Sequence, residues 1–170
     1  MDLTLRHRQE LANIAETQAF AAQVAKLLRA GDVIILTGEL GAGKTTFTQA
    51  LASALGMTAP ITSPTFVLAR HHNHPGEGLN LVHVDAYRIT GTDELASLDL
   101  ESWLADAVVV IEWGRGLAEE LTDSHLDIEL IRPGAATGEL VTDFSDDDVD
   151  EPRTAIITGY GPRWEDISIA

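Results

Sequence analysis

Gly38-Glu39-Leu40-Gly41-Ala42-Gly43-Lys44-Thr45 fits the pattern of a glycine, four free positions, then Gly-Lys-Ser/Thr. Residues of these types at this spacing can grip a chain of phosphates. Glycine reaches φ > 0 without a Cβ clash, so the loop can turn its backbone N–H groups inward as a nest for an anion. A following helix adds the positive end of its dipole. The expected cradle is Gly38, Gly41, Ala42, Gly43, Lys44, Thr45 and Thr46. Lys44 would reach the β- and γ-phosphates, and the Thr45 hydroxyl would take one position on Mg²⁺. No Asn-Lys-x-Asp guanine motif and no Asp-x-x-Gly switch occurs in the chain. The expected ligand is therefore ATP with Mg²⁺.

Such a loop needs an acidic group near the metal, at the C-terminal end of a strand beside it. Glu112 ends Ala107-Val108-Val109-Val110-Ile111-Glu112, a continuous apolar run typical of a parallel strand covered on both faces. Asp85 ends the alternating run Leu79–Asp85. A carboxylate at a strand tip is, taken alone, equally a turn or cap residue. The phosphate loop creates the need for one here. Glu112 is assigned to the metal, and Asp85 to orienting or activating the attacking water.

The elements that must position these groups are legible in outline. Asp32–Thr37 is short, apolar and β-branched, as a buried strand is. Thr46–Leu55 has helical spacing, with Phe47, Leu51 and Leu55 on one face and Gly56 as its stop. Upstream, an opening strand is expected over Gln9–Ala15 and an amphipathic helix over Thr17–Arg29, with Thr17 as N-cap and Gly31 closing it. Downstream, Phe66–Arg70 reads as a strand and His71–Gly78 as a turn-rich loop. Leu79–Asp85 completes a hairpin, and Asp93–Leu104 reads as a helix. His125–Ile131 and Thr154–Thr158 read as closing, antiparallel strands. The expected architecture is a three-layer α/β fold of the P-loop NTPase kind, its mixed sheet parallel in the centre and antiparallel at the edges. No linker divides residues 1–170, so one domain is expected.

Composition bounds the function. The chain has 170 residues, 45% of them apolar, which suits one globular domain. It has no cysteine, which excludes disulfides and thiolate zinc sites. No apolar run reaches membrane-spanning length and the N-terminus lacks the apolar stretch of a signal peptide, so a cytoplasmic protein without membrane contact is expected. The formal net charge is −16, and the 11 Lys and Arg residues are scattered. That argues against unaided binding of nucleic acid, which needs clustered cations. The acidic run Asp146–Glu151 reads as a solvated loop. His71, His72 and His74 read as solvent-facing, with no acidic ligand spaced to complete a metal site.

Four motifs in order resemble the TsaE family: Gly38–Thr46, Ser63-Pro64-Thr65-Phe66, His83-Val84-Asp85-Ala86-Tyr87-Arg88 and Val110-Ile111-Glu112-Trp113. The resemblance runs from about Thr17 to Trp113 and weakens in the closing strands. It implies a small bacterial ATPase that supports threonylcarbamoyladenosine modification of tRNA, acting with TsaB and the transferase TsaD. Contact with tRNA would then be indirect, through those partners. It further implies that Lys44 and Thr45 hold phosphate and Mg²⁺, that Glu112 is the Walker B acid, and that Asp85 is needed for hydrolysis. Ser63–Phe66 resembles a switch-like segment, or is a plain loop before a strand. Trp113 lies near the nucleotide or packs. Arg88 or Arg115 stabilises phosphoryl charge, or pairs with nearby acids. Thr17 is placed toward the adenine end. The acidic run departs from the family, which is usually shorter there, and puts in doubt any role carried onto Arg153. Two other functions compete: a small-molecule kinase built on a phosphate loop, and a non-catalytic module that binds partners according to its nucleotide.

Overall fold

The computed structural model describes residues 3–39, 42–57, 69–86, 100–116, 119, 122–132 and 152–169. In chain order the elements are β1 (Leu3–Leu11), α1 (Ile14–Ala25), β2 (Val33–Thr37), α2 (Lys44–Ala54), β3 (Ala69–His72), β4 (Asn80–Asp85), α3 (Leu100–Trp103), β5 (Ala107–Glu112), β6 (His125–Ile131) and β7 (Arg153–Tyr160). A 3₁₀ turn, Pro162–Trp164, follows.

All seven strands form one sheet in the order β1-β7-β6-β2-β5-β4-β3. β2 runs parallel to β5 and to β6, and β4 runs parallel to β5. β3 is antiparallel to β4, and β7 is antiparallel to both β6 and β1. The parallel centre and antiparallel edges are as the sequence predicts. Every residue of β5 is buried, as a strand covered on both faces requires.

Alternation along the strands sorts the core into two layers. Ile34, Leu36, Val108, Val110 and Leu81 join Phe20, Val24, Phe47 and Leu51 beneath α1 and α2. Val33, Ile35, Val82, Val84, Val109 and Ile111 form the cluster on the opposite face, where Trp103 and Leu104 pack. Helix α2 ends as expected at Gly56, with φ +96. Its bonds from Met57 N to Ala52 O and Gly56 N to Ser53 O form a Schellman cap.

Four expectations are corrected. The opening strand spans Leu3–Leu11 rather than Gln9–Ala15, because pairing with β7 recruits the chain from Leu3 onward. Helix α1 begins at Ile14, not Thr17. Asn13 is its N-cap, its side chain accepting from Glu16 N at 2.9 Å, while the Glu16 carboxylate reaches back to Ala12 N. Asn caps better than Thr and has a Glu three positions on. Thr17 lies inside the helix, 1% exposed, with its hydroxyl donating to Asn13 O. The same helix ends at Ala25, and Gly31, φ +94, instead turns the chain into β2. The strand His125–Ile131 is parallel to β2, and only its β7 edge is antiparallel. Of the helix expected over Asp93–Leu104, the described part is helical over Leu100–Trp103.

The 3₁₀ turn is tied to the start of β2 by a forked ion pair. Arg163 donates through Nε and a terminal nitrogen to both oxygens of Asp32, each at 3.0 Å. Asp32 is 4% exposed and also accepts from Arg29 N. Arg163→Met would leave this carboxylate buried without its main countercharge. The expected loss is about 3 kcal/mol of unfolding free energy, read from a urea titration.

Candidate functional site

The site starts where β2 ends. Leu36 lies beside Glu112 in the parallel ladder, and Trp113 N donates to Leu36 O at 3.2 Å. The chain then passes through Gly38 in a space too narrow for a side chain. A Cβ there would sit 2.8 Å from the Leu130 carbonyl and 3.0 Å from the Ala42 Cβ. Gly43 caps α2 with φ +97, in the left-handed region. The first bond inside the helix runs from Phe47 N to Gly43 O, so the amides ahead of it face out of the helix's N-terminal end. Thr45 and Thr46 stand half-buried in that first turn. The loop thus has the close backbone approach and the helix start that a phosphate nest needs.

Lys44 is 7% exposed. Its ammonium donates to the Gly38 carbonyl and lies 4.0 Å from the centre of the Trp113 ring. A cation over an indole in a desolvated place is worth up to about 2 kcal/mol. Trp113 itself is held at φ +61, unusual for a bulky residue. Such a conformation costs on the order of 1–3 kcal/mol and persists where the surroundings impose it, often at functional sites. The ring that the sequence leaves between nucleotide contact and packing therefore lies against the phosphate-loop lysine.

Glu112 is 5% exposed at the tip of β5. Alternation from Val108 and Val110 puts its side chain on the α1–α2 side of the sheet, which is the side of the phosphate loop. Asp85 is its direct neighbour on β4 and shares that face with Leu81 and His83. The two carboxylates and Lys44 are thus gathered at one end of the sheet. His83 also reaches this end, its Nε2 lying 2.6 Å from Glu112 Oε2.

Other candidates fall elsewhere. Arg115 forks onto Asp127, at 3.0 Å and 2.6 Å, with Glu129 at 3.8 Å. It takes the second of its two readings and pairs with local acids. The Asp127 hydrogen bond holds its pKa above the usual value. His71 and His72 belong to β3 rather than to a loop, because they pair with Val82 and Leu81. Burial pushes the His72 imidazole below its usual pKa, with His83 as the next cause. His74 Nδ1 accepts from Gly76 N at 2.8 Å and Gly78 N at 3.2 Å, which organises the turn. Gly41, Ser63–Phe66, Tyr87, Arg88 and Asp146–Glu151 lie outside the described residues.

The sequence assigns no role to two residues that the structure places near these groups. His83 sits two positions before Asp85, so the period of a strand already places both on one face. Arg153 opens β7 and packs over the loop, where a Cβ on Gly43 would meet its Nε at 3.0 Å. Nothing local in the sequence marks that contact, because it depends on β7 lying antiparallel beside β6.

The model of the family described as "Threonylcarbamoyl adenosine biosynthesis protein TsaE" matches residues 11–139, which span the phosphate loop, Asp85 and Glu112. The chain belongs to the TsaE family. A tRNA threonylcarbamoyladenosine biosynthesis protein TsaE of Streptomyces coelicolor is 49% identical over 150 residues, covering 86% of this chain and 94% of its own. Its counterpart from Mycobacterium tuberculosis is 48% identical over 130 residues, covering 72% and 77%. The Bacillus subtilis TsaE is 36% identical over 154 residues, covering 90% and 85%. The crystal structure of Bacillus subtilis YdiB superposes with a TM-score of 0.68 at 30% identity, covering 96% of this chain and 91% of that one. TsaE-family proteins take part in tRNA threonylcarbamoyladenosine biosynthesis, and this chain is one of them. Among the described residues, no helix is long and apolar enough to cross a membrane.

The left-handed Gly43 and its contact with Arg153 make one substitution diagnostic of the TsaE loop geometry. Gly43→Ala should lose about 1–2 kcal/mol of stability from backbone conformation alone. Differential scanning calorimetry should show the lowered melting temperature.

Proposed function

We propose that this TsaE-family chain is a Mg²⁺-dependent ATPase, a single P-loop domain that hydrolyses ATP to ADP and phosphate in support of tRNA modification by TsaB and TsaD proteins. The observation that carries the reading is the placement of Lys44: a buried ammonium held by the Gly38 carbonyl, between the start of α2 and the tip of β5. A lysine in that place is ready to exchange a carbonyl for phosphate oxygens.

The residues suit the chemistry. In this reading Gly38, Gly41, Ala42 and Gly43 would supply a backbone cradle, and the amides of Lys44, Thr45 and Thr46 the helix start. The Thr45 hydroxyl and the Glu112 carboxylate are oxygen donors, the ligand type that Mg²⁺ prefers, Glu112 acting directly or through water. Bound Mg²⁺ would neutralise charge developing on the β- and γ-phosphates. Asp85, beside Glu112 in the ladder, orients or activates the water for in-line attack. Trp113 stacks on Lys44 and keeps the ammonium at the loop. The net charge of −16 favours a role in which partner proteins contact the tRNA. In this reading the chain works in the cytoplasm as an accessory protein. Hydrolysis by the chain alone is expected to be slow and to rise with TsaB and TsaD.

Two variants test the reading. Lys44→Ala should abolish tight ATP binding in isothermal titration calorimetry. Glu112→Gln should keep nucleotide affinity within a few-fold but lower the Mg²⁺-dependent rate of phosphate release by about 100-fold. Normal ATP turnover by Glu112→Gln would overturn the metal assignment.

A further inference from the structure

His83 and Glu112 form a buried pair, with side chains 1% and 7% exposed and a separation of 2.6 Å. Their register explains the contact. His83 lies opposite Val110 on the neighbouring parallel strand, and Asp85 lies opposite Glu112. The imidazole therefore reaches diagonally, two positions up the ladder, to the carboxylate at the strand tip. On its β5 side the layer is apolar, where Leu81, Val108 and Val110 belong to the core beneath α1 and α2, while on its β3 side Arg70 is its cross-strand partner and His72 lies near.

We propose that His83 is the positioning residue for Glu112, donating its Nε2–H to Oε2 so that the carboxylate is held in one orientation, with its other oxygen left for the Mg²⁺ shell. This rests on the ATPase reading above. The direction of the bond follows from the partners. An ionised carboxylate only accepts, so Nε2 carries the proton. His83 Nδ1 has no hydrogen-bond partner among the described residues, so none of these competes to draw the proton to the other nitrogen. A buried polar pair is a poor way to add stability, because apolar residues of the same volume serve as well or better. It is a good way to fix one orientation of a metal-ligating carboxylate, whose outer-shell partners typically matter 10- to 100-fold for metal affinity or activity. Glu112 gains a further constraint through its backbone, since Ala86 N donates to its carbonyl at 2.9 Å. Main chain and side chain of the acid are thus both tied to β4.

The test uses the full chain and three readouts. Long-range ¹H–¹⁵N spectra of the wild-type protein should show His83 protonated at Nε2, and a neutral Nδ1–H form would overturn the proposal. In His83→Leu, ATP affinity measured without metal should stay near wild type. The gain in ADP affinity on adding Mg²⁺ should shrink, and kcat should fall, each by about 10- to 100-fold. His83→Gln, whose amide nitrogen can take the place of Nε2, should recover most of both, whereas His83→Asn, too short to reach, should not. A wild-type response to Mg²⁺ in His83→Leu, or equal losses in the Gln and Asn variants, would overturn the role. If His83→Leu does not fold, the wild-type tautomer and the Gln–Asn comparison decide. The two readings fail differently. A wild-type protein whose nucleotide affinity ignores Mg²⁺ refutes the ATPase reading, while a wild-type response retained in His83→Leu refutes only the role of His83.

Discussion

An ammonium group taken out of water at the end of a buried strand must be compensated where it stands, and much of this molecule is arranged around that requirement. Lys44 sits 7% exposed and answers it with the Gly38 carbonyl and the face of Trp113. Neither contact survives small changes in the chain path. The Gly38 carbonyl is in place because the loop passes close against Leu130 on β6, a passage only glycine fits. The Trp113 ring is in place because the residue after Glu112 adopts a left-handed conformation, with its amide bonded to Leu36. The lysine thus links β2, β5 and β6 at their C-terminal ends. A desolvated cation at the open N-terminal end of a helix is also well prepared for a polyanion.

The sheet order makes this convergence possible. In an open α/β sheet, ligands bind beyond the carboxyl ends of the parallel strands. Here β2 is flanked by β5 and β6, and β4 lies beyond β5, so the tips carrying Gly38, Glu112 and Asp85 fall at one end. The antiparallel strands serve differently. β7 brings Arg153 against Gly43 from its N-terminal end, and β1 closes the far edge by pairing with β7. The forked Arg163–Asp32 pair secures the opposite end of β2, away from the loop. Rigid packing at the base of the central strand and close backbone approach at its tip are two halves of one device. Membership of the TsaE family places that device in tRNA threonylcarbamoyladenosine biosynthesis.

What the sequence discloses follows the range of the interactions. The helix after the glycine-rich stretch, β5 and the Gly56 stop are encoded within a few residues each, and their positions lie within two residues of those expected. The start of α1 is ambiguous in the sequence because two capping residues four positions apart compete, and the bonds of Asn13 and Glu16 outweigh Thr17. His71 and His72 resemble a polar loop in composition, yet hydrogen bonding to β4 draws them into a strand. The direction of β6 has no local signal, since an apolar run reads the same parallel or antiparallel. Among the proposed site residues, Lys44, Asp85 and Glu112 stand out in the sequence because each ends or begins an element. His83 was passed over as one more residue of an alternating strand, because its importance depends on a diagonal contact across the ladder.

The most direct measurement is a crystal structure of the chain with Mg²⁺ and a non-hydrolysable ATP analogue. The account predicts β- and γ-phosphates inside the Gly38–Thr46 loop, the Lys44 ammonium moved from the Gly38 carbonyl onto phosphate oxygens, and the metal facing Thr45 and Glu112. Triphosphate density anywhere else, or a Glu112 carboxylate turned away from the metal, would contradict it.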